Sequence, residues 1–225
     1  MIEILRNLEW YKLLDMALSV IPVLIVITVH ECCHGLCALA LGDTTARDMG
    51  RLSPNPVKHF DMLGFLMLIT VGFGWAKPVP IDMRRFKNPK WGMALTALAG
   101  PASNFVLTSL ALFIAGLIWR PIYDTTVGYY VVTSVVRVAT ISLSLGVFNL
   151  IPISPLDGSK VLFAFLPERW YYMLMRYERY GMIVLVALSW FGVLTVPMNA
   201  ASSFLLDKFS VFLRLGESLG SLIFK

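Results

Sequence analysis

Apolar residues in this chain run on for longer than a soluble fold permits. Around residues 16–41, 92–118, 127–151 and 181–205 the sequence is dominated by Leu, Ile, Val, Ala, Phe and Met. A surface helix of a soluble protein buries one stripe and interrupts it with polar residues every turn or two. A helix in hydrocarbon needs about 20 consecutive apolar residues and few charges. Composition agrees with the second case: 57% of the 225 residues are hydrophobic and 15% charged, against about a quarter charged in soluble domains. The mean hydropathy is +0.73. These runs imply an all-α integral membrane protein with about four transmembrane helices. It is read as a single membrane-embedded domain over residues 1–225, with amphipathic ends at 1–15 and 206–225.

One apolar stretch does not fit that pattern. Met62–Phe73 is about 12 residues long, too short to cross as a helix, and Gly72, Gly74, Pro78 and Pro80 follow it. Residues 62–81 are therefore expected to form a re-entrant, strand-like segment. Such backbone is tolerated at membrane depth only where protein buries it or where it lines a wet cavity. The fourth run is interrupted by Pro197.

The net charge of +5 is no nucleic-acid footprint, because the Lys and Arg residues gather beside the apolar runs, where charges orient helices and meet lipid headgroups. With four spans, Arg6, Lys12, Arg120, Lys208, Arg214 and Lys225 share one side. The other side carries twice as many, in 43–90 and 152–180. The positive-inside rule then predicts a cytoplasmic face at the second side and both termini outside. No cleavable signal peptide is expected, since the first apolar run carries its own polar motif. Cys32, Cys33 and Cys37 crowd one helical segment and suggest packing or metal proximity, not a disulfide framework.

That polar motif is His30-Glu31-Cys32-Cys33-His34, of the form H-E-x-x-H. On a helix the two histidines lie one turn apart on one face, so both imidazoles can reach one metal ion. Glu31 is turned by about 100° from His30, near enough to take a proton from a water at the metal without being a ligand. Ionisable groups this deep in an apolar span are costly and usually functional. A catalytic zinc takes three protein ligands and keeps one open position. Asp157, in the Pro-rich stretch after the third span, is one candidate for the third; a simple turn or helix-cap aspartate before Gly158 is the other reading. Cys37, one turn beyond His34, is a rival with a thiolate suited to zinc, although three ligands along one helix rarely give tetrahedral geometry.

Four motifs occur in order: His30-Glu31-Cys32-Cys33-His34-Gly35; Gly72-Phe73-Gly74-Trp75-Ala76-Lys77-Pro78-Val79-Pro80; Ala99-Gly100-Pro101-Ala102-Ser103-Asn104; and Asn149-Leu150-Ile151-Pro152 continuing to Leu156-Asp157-Gly158. In this the chain resembles the site-2 proteases, the intramembrane zinc metalloproteases of peptidase family M50. The resemblance implies one Zn2+ per chain, held by His30, His34 and Asp157, with Glu31 catalytic. It also implies a membrane-embedded, strand-like segment ending in Gly-Trp-Ala-Lys-Pro that presents substrate. Asn149 would orient substrate or stabilise an oxyanion; capping the third span is its plainer alternative. Asn104 reads as an interhelical hydrogen bonder, with contact to the site as the alternative.

The implied substrate is a single-span membrane protein entering from the lipid bilayer, and the implied location is a prokaryotic cell membrane with the active site toward the cytoplasm. Larger members carry PDZ or cystathionine-β-synthase-type domains, which this sequence lacks, and the metal-bearing span is the first here. Two further readings are a membrane pseudoprotease that binds helices without cutting them and a membrane metal transporter. A transporter would place ionisable residues along successive spans, where only Arg137 answers. Arg137 reads as an interior structural residue, and His59 as a surface or interface residue.

Overall fold

The computed structural model describes residues 10–71 and 74–224. Most of the amphipathic start (residues 1–9, including Arg6), Gly72 and Phe73 of the second motif, and Lys225 lie outside the described residues. The described chain forms helices and connecting loops, with no strand among them. The helices are α1 (Trp10–Ala40), α2 (Thr45–Asp48), α3 (Met62–Val71), α4 (Pro89–Ile122), α5 (Thr126–Asn149), α6 (Asp157–Phe163), α7 (Glu168–Arg176), α8 (Glu178–Trp190) and α9 (Thr195–Ile223).

Three helices are long and apolar enough to cross a membrane: Leu18–Ala40 of α1, α4 and α5. Local chemistry sets their starts. Asn88 caps α4 by accepting from the Trp91 N–H, with Pro89 at the first helical position, where its missing donor costs nothing. Thr125 caps α5 by accepting from the Gly128 N–H. A polar link ties α1 to α5 inside the bundle, where Arg137 Nη1 donates to Ser19 Oγ at 2.7 Å. The interior structural role expected of Arg137 is thus a cross-helix hydrogen bond.

The fourth apolar run departs from expectation. It is not one helix over 181–205, because the chain breaks after Trp190 and α9 leaves α8 at 83°. Gly192 sits in the break at φ +69°, a conformation that L side chains rarely adopt. The supposed amphipathic tail 206–225 is instead the main body of α9. It runs parallel to α4: Phe209 stacks near Phe105, Gly216 abuts Phe113, and Gly220 abuts Leu117. Ala111, Leu112 and Ala139 form the core of this contact, with Leu206, Phe209 and Leu213 packed on it.

The segment 62–81 is also corrected. Residues Met62–Val71 are helical, and the strand expected there is absent among the described residues. Residues 74–82 have no regular secondary structure and pair with no strand. Single hydrogen bonds hold them instead. The Lys77 N–H donates to the His59 carbonyl at 3.0 Å, and Arg51 Nη2 donates to the carbonyls of Lys77 and Pro78 at 2.9 and 3.2 Å. Fully buried Asp43 accepts from the Asp82 N–H at 2.7 Å. A short apolar run flanked by glycines satisfied its own carbonyls and amides as a helix, the solution that needs no partner strand.

Candidate metal centre

His30 and His34 lie on the α1 face that packs against α4, and both are buried. Their Nε2 atoms stand 3.0 Å apart. Asp157, the first residue of α6, brings Oδ2 to 3.3 Å from His30 Nε2 and 3.2 Å from His34 Nε2. Burial pushes the Asp157 carboxyl up, but the two imidazoles pull it down harder, holding it below the usual carboxylate range. The aspartate arrives because the loop 150–156 reverses the chain after α5 and sets α6 against α4. Gly158 then seats against the Leu150 carbonyl, where a Cβ would collide, and Ser159 Oγ closes the turn on the Leu156 carbonyl at 2.6 Å.

The three ligand atoms make a triangle with edges of 3.0–3.3 Å. Tetrahedral zinc with bonds of roughly 2.0–2.2 Å requires ligand atoms roughly 3.4 Å apart, so the set fits such an ion. Asp157 Oδ2 is buried without a hydrogen bond of good geometry, which a cation between it and the imidazoles would satisfy. Two neutral nitrogens and one carboxylate form a donor set that suits zinc and leaves one position open. Among the described residues no other group of His, Cys, Asp and Glu converges in this way, and Cys37 is not part of this one.

Helix α4 supplies the floor. A Cβ on Gly100 would overlap the imidazoles of both His34 and His30. The missing side chain also uncovers the helix face one turn below. There the Thr96 carbonyl takes the His34 Nδ1–H at 2.7 Å, the second hydrogen bond that orients a metal-ligating imidazole. On the other ring, the Asn104 amide lies 3.1 Å from His30 Nδ1. Asn104 is therefore an interhelical hydrogen bonder, and its partner is one of the three residues that could hold the metal. Thr96 escaped the sequence because a backbone carbonyl carries no residue signature.

Glu31 stands beside the two histidines, and its Oε2 accepts the Val79 N–H of the segment 74–82 at 2.8 Å. Asn149 closes α5, with its amide nitrogen donating to its own helix at Leu145 O, 3.1 Å away. No described contact joins it to the triad. Of the two readings of His59, surface or interface residue, the surface one fails: it is 1% exposed, and its Nε2 faces the Ser53 carbonyl at 2.9 Å and Cys32 Sγ at 3.6 Å. The polar loop around it folds over α1 and carries it inside.

The profile of peptidase family M50 matches residues 122–192. A protein of Bacillus subtilis (strain 168), named as a zinc metalloprotease and called YwhC, is 34% identical over 183 residues, covering 80% of this chain and 83% of its own. Rip2 of Mycolicibacterium smegmatis, likewise named as a zinc metalloprotease, is 26% identical over 170 residues, 73% of this chain and 63% of its own. No solved structure matches. Sequence similarity over most of its length, joined to a buried three-ligand centre that fits zinc, shows that this chain belongs to peptidase family M50, the site-2 protease family of zinc metalloproteases.

Proposed function

We propose that the protein hydrolyses peptide bonds within or near the transmembrane segments of single-span membrane proteins, with His30, His34 and Asp157 as zinc ligands and Glu31 as general base. The observation that carries this reading is the position of the buried triad, with His30 and His34 inside one apolar span and packed against a second. Only a substrate already in the bilayer has a direct path to such a centre.

When bound, zinc supplies Lewis-acid polarisation of a carbonyl and an acidified water. The protein's own groups do the rest. With Oε2 engaged by the Val79 N–H, Glu31 keeps Oε1 free to take the proton of an attacking water and return it to the leaving amine. A substrate helix shields its carbonyls, so it must unwind before this can occur. Asn149 is the candidate oxyanion donor, and its amide would have to leave the Leu145 carbonyl to serve.

The four-span reading is kept, with α9 in place of 181–205. Lys and Arg crowd the loops that follow α1 and α5, which supports a metal on the cytoplasmic side of a prokaryotic cell membrane with the termini outside. The 83° bend and the exposed Trp170, Tyr172, Tyr177 and Trp190 suit α7 and α8 to the headgroup layer.

Cleavage of a tagged single-span substrate by purified protein in lipid tests the reading. Glu31→Gln is expected to keep its zinc and lose about 10²–10⁴-fold in rate. Cutting at the wild-type rate would sink the mechanism. Asn149→Ala is expected to lose about 10²–10³-fold in kcat with zinc unchanged; a loss under about twofold would return it to a helix cap.

A further inference from the structure

We propose that Arg51 is a positioning residue for the cleavage reaction: its guanidinium fixes the backbone of residues 77–79 so that the Val79 N–H holds Glu31 in place. The inference rests on the reading of Glu31 as general base.

Residues 74–82 belong to no sheet, so individual contacts alone set where they lie. Val79 stands between Pro78 and Pro80, whose rings lock φ near about −65° and offer no N–H. Each proline also disfavours the helical region for the residue before it. The stretch 77–80 is therefore stiff, and a bond at the Lys77 or Pro78 carbonyl is felt at the Val79 N–H, the donor to Glu31 Oε2 at 2.8 Å. The Val79 side chain seats beside Gly35, one helical turn beyond Glu31, where an added Cβ would crowd it.

The Lys77 N–H is tied to the His59 carbonyl, and the next two carbonyls belong to Arg51. A single nitrogen, Nη2, donates to Lys77 O at 2.9 Å and to Pro78 O at 3.2 Å. The turn that ends α2 sets the place of Arg51 itself. There the Gly50 N–H donates to Arg47 O at 2.9 Å and the Arg51 N–H to Ala46 O at 2.8 Å. Gly50 lies at φ +63°, the conformation by which a glycine closes a helix. Among the described residues no acid pairs with the guanidinium: Asp48 is taken by Arg47 and Arg85, and Asp82 by Arg84 and Arg85. The half-buried Arg51 thus directs its charge at two backbone carbonyls. Every donor and acceptor in this chain of contacts is fixed by its chemical identity, from guanidinium through backbone to carboxylate.

The test measures kcat and KM for a tagged single-span substrate with the purified protein in lipid, per folded, zinc-loaded molecule. Arg51→Met removes the clamp and is expected to lower kcat about 10²-fold, the cost of a displacement near 1 Å, with KM unchanged. Arg51→Lys should restore most of the loss, since one nitrogen serves both carbonyls and an ammonium has three donors. Lys58→Met breaks another cation-to-carbonyl bond of the same loop, to Gly50 O, and should leave kcat unchanged. Undiminished kcat in Arg51→Met, an equal loss in Arg51→Lys or Lys58→Met, or a loss carried by KM overturns the proposal.

A double variant separates positioning from a general loosening of the fold. In a Glu31→Gln background Arg51→Met should cost less than about threefold, because the group it positions is gone. The same loss of about 10²-fold in that background overturns the proposal. Glu31→Gln alone distinguishes the two levels. If it cuts at the wild-type rate, the general-base reading fails; if it is inactive while Arg51→Met is undiminished, this inference alone fails. Should Arg51→Met not fold, Arg51→Gln takes its place in both backgrounds, its amide ending where the arginine Nε stands, short of both carbonyls.

Discussion

Helix α4 meets its neighbours closely at two places, and the two seams differ in what the closeness is for. A third of the way along, Gly100 leaves room for two imidazoles from α1. Nearer its end, Gly116 leaves room for the Leu213 carbonyl of α9, while Gly216 answers with room for the Phe113 carbonyl of α4. Both seams rest on an absent Cβ. The first admits side chains that do chemistry, and the second admits backbone that does nothing but pack. In lipid, where helices gain little from hiding apolar surface, close backbone approach at small residues is a main source of cohesion. The contrast predicts that filling the first seam costs activity and filling the second costs stability.

The largest effect belongs to Gly100→Ala. The added methyl would overlap both rings, and either the rings or the helix must shift. A displacement near 1 Å at a catalytic centre costs about 10²-fold in rate, so cleavage is expected to fall at least that far. The fold should hold, because alanine in a helix interior is about 1 kcal/mol better than glycine. Substrate cleavage and thermal unfolding in detergent, measured on one preparation, decide this. A variant that unfolds early yet cuts normally once corrected for folded fraction would abolish the distinction between the seams.

Gly116→Ala and Gly216→Ala should do the reverse. Each Cβ meets backbone of the partner helix, which cannot rotate away as a side chain can. Overpacking costs about 1–3 kcal/mol, outweighing the gain of about 1 kcal/mol in helix propensity. Lowered midpoints with undiminished zinc content are expected. The pair share one contact, so the double variant should cost less than the sum; strict additivity would mean that the helices do not meet there.

How much of this was legible in the sequence differs between the seams. The H-E-x-x-H spacing maps directly onto one helix face, so His30 and His34 needed only the helical period. Asp157 needed more, because the distance it closes is set by how α6 packs against α4, and no local pattern encodes that turn. The second seam was hidden by its own charges. Asp207, Lys208, Arg214 and Glu217 make α9 look like a surface tail, and the Gly216-x-x-x-Gly220 spacing is the signal that outweighs them. The break at Gly192 was masked by the apolar residues on both sides of it. His59 was misjudged because burial depends on where a loop folds, which its polar neighbours do not reveal.

A polar link tests whether the bundle depends on the seams alone. Ser19→Ala removes the hydroxyl that accepts from Arg137. A buried hydrogen bond to a charged donor contributes about 1.5–3 kcal/mol, and one replaced in part by other partners contributes less. Arg137 has further interactions, so a loss of about 1 kcal/mol is expected. A cost above that of Gly216→Ala would rank the polar link over glycine packing in holding α1 and the metal against the rest.

Gly220→Ala should have the smallest effect, and its sign is informative. The Cβ would come 2.6 Å from the Leu117 carbonyl, a milder overlap than at Gly216, and position 220 lies in the last turn of α9. Helix ends fray and can shift outward at little cost. The strain and the gain of about 1 kcal/mol in helix propensity therefore nearly cancel, and the unfolding midpoint should move by little in either direction. A destabilisation equal to that of Gly216→Ala would mean that α9 is clamped to α4 up to its end. A clear stabilisation would mean that the seam closes at Gly216, leaving the last turn to pack on lipid.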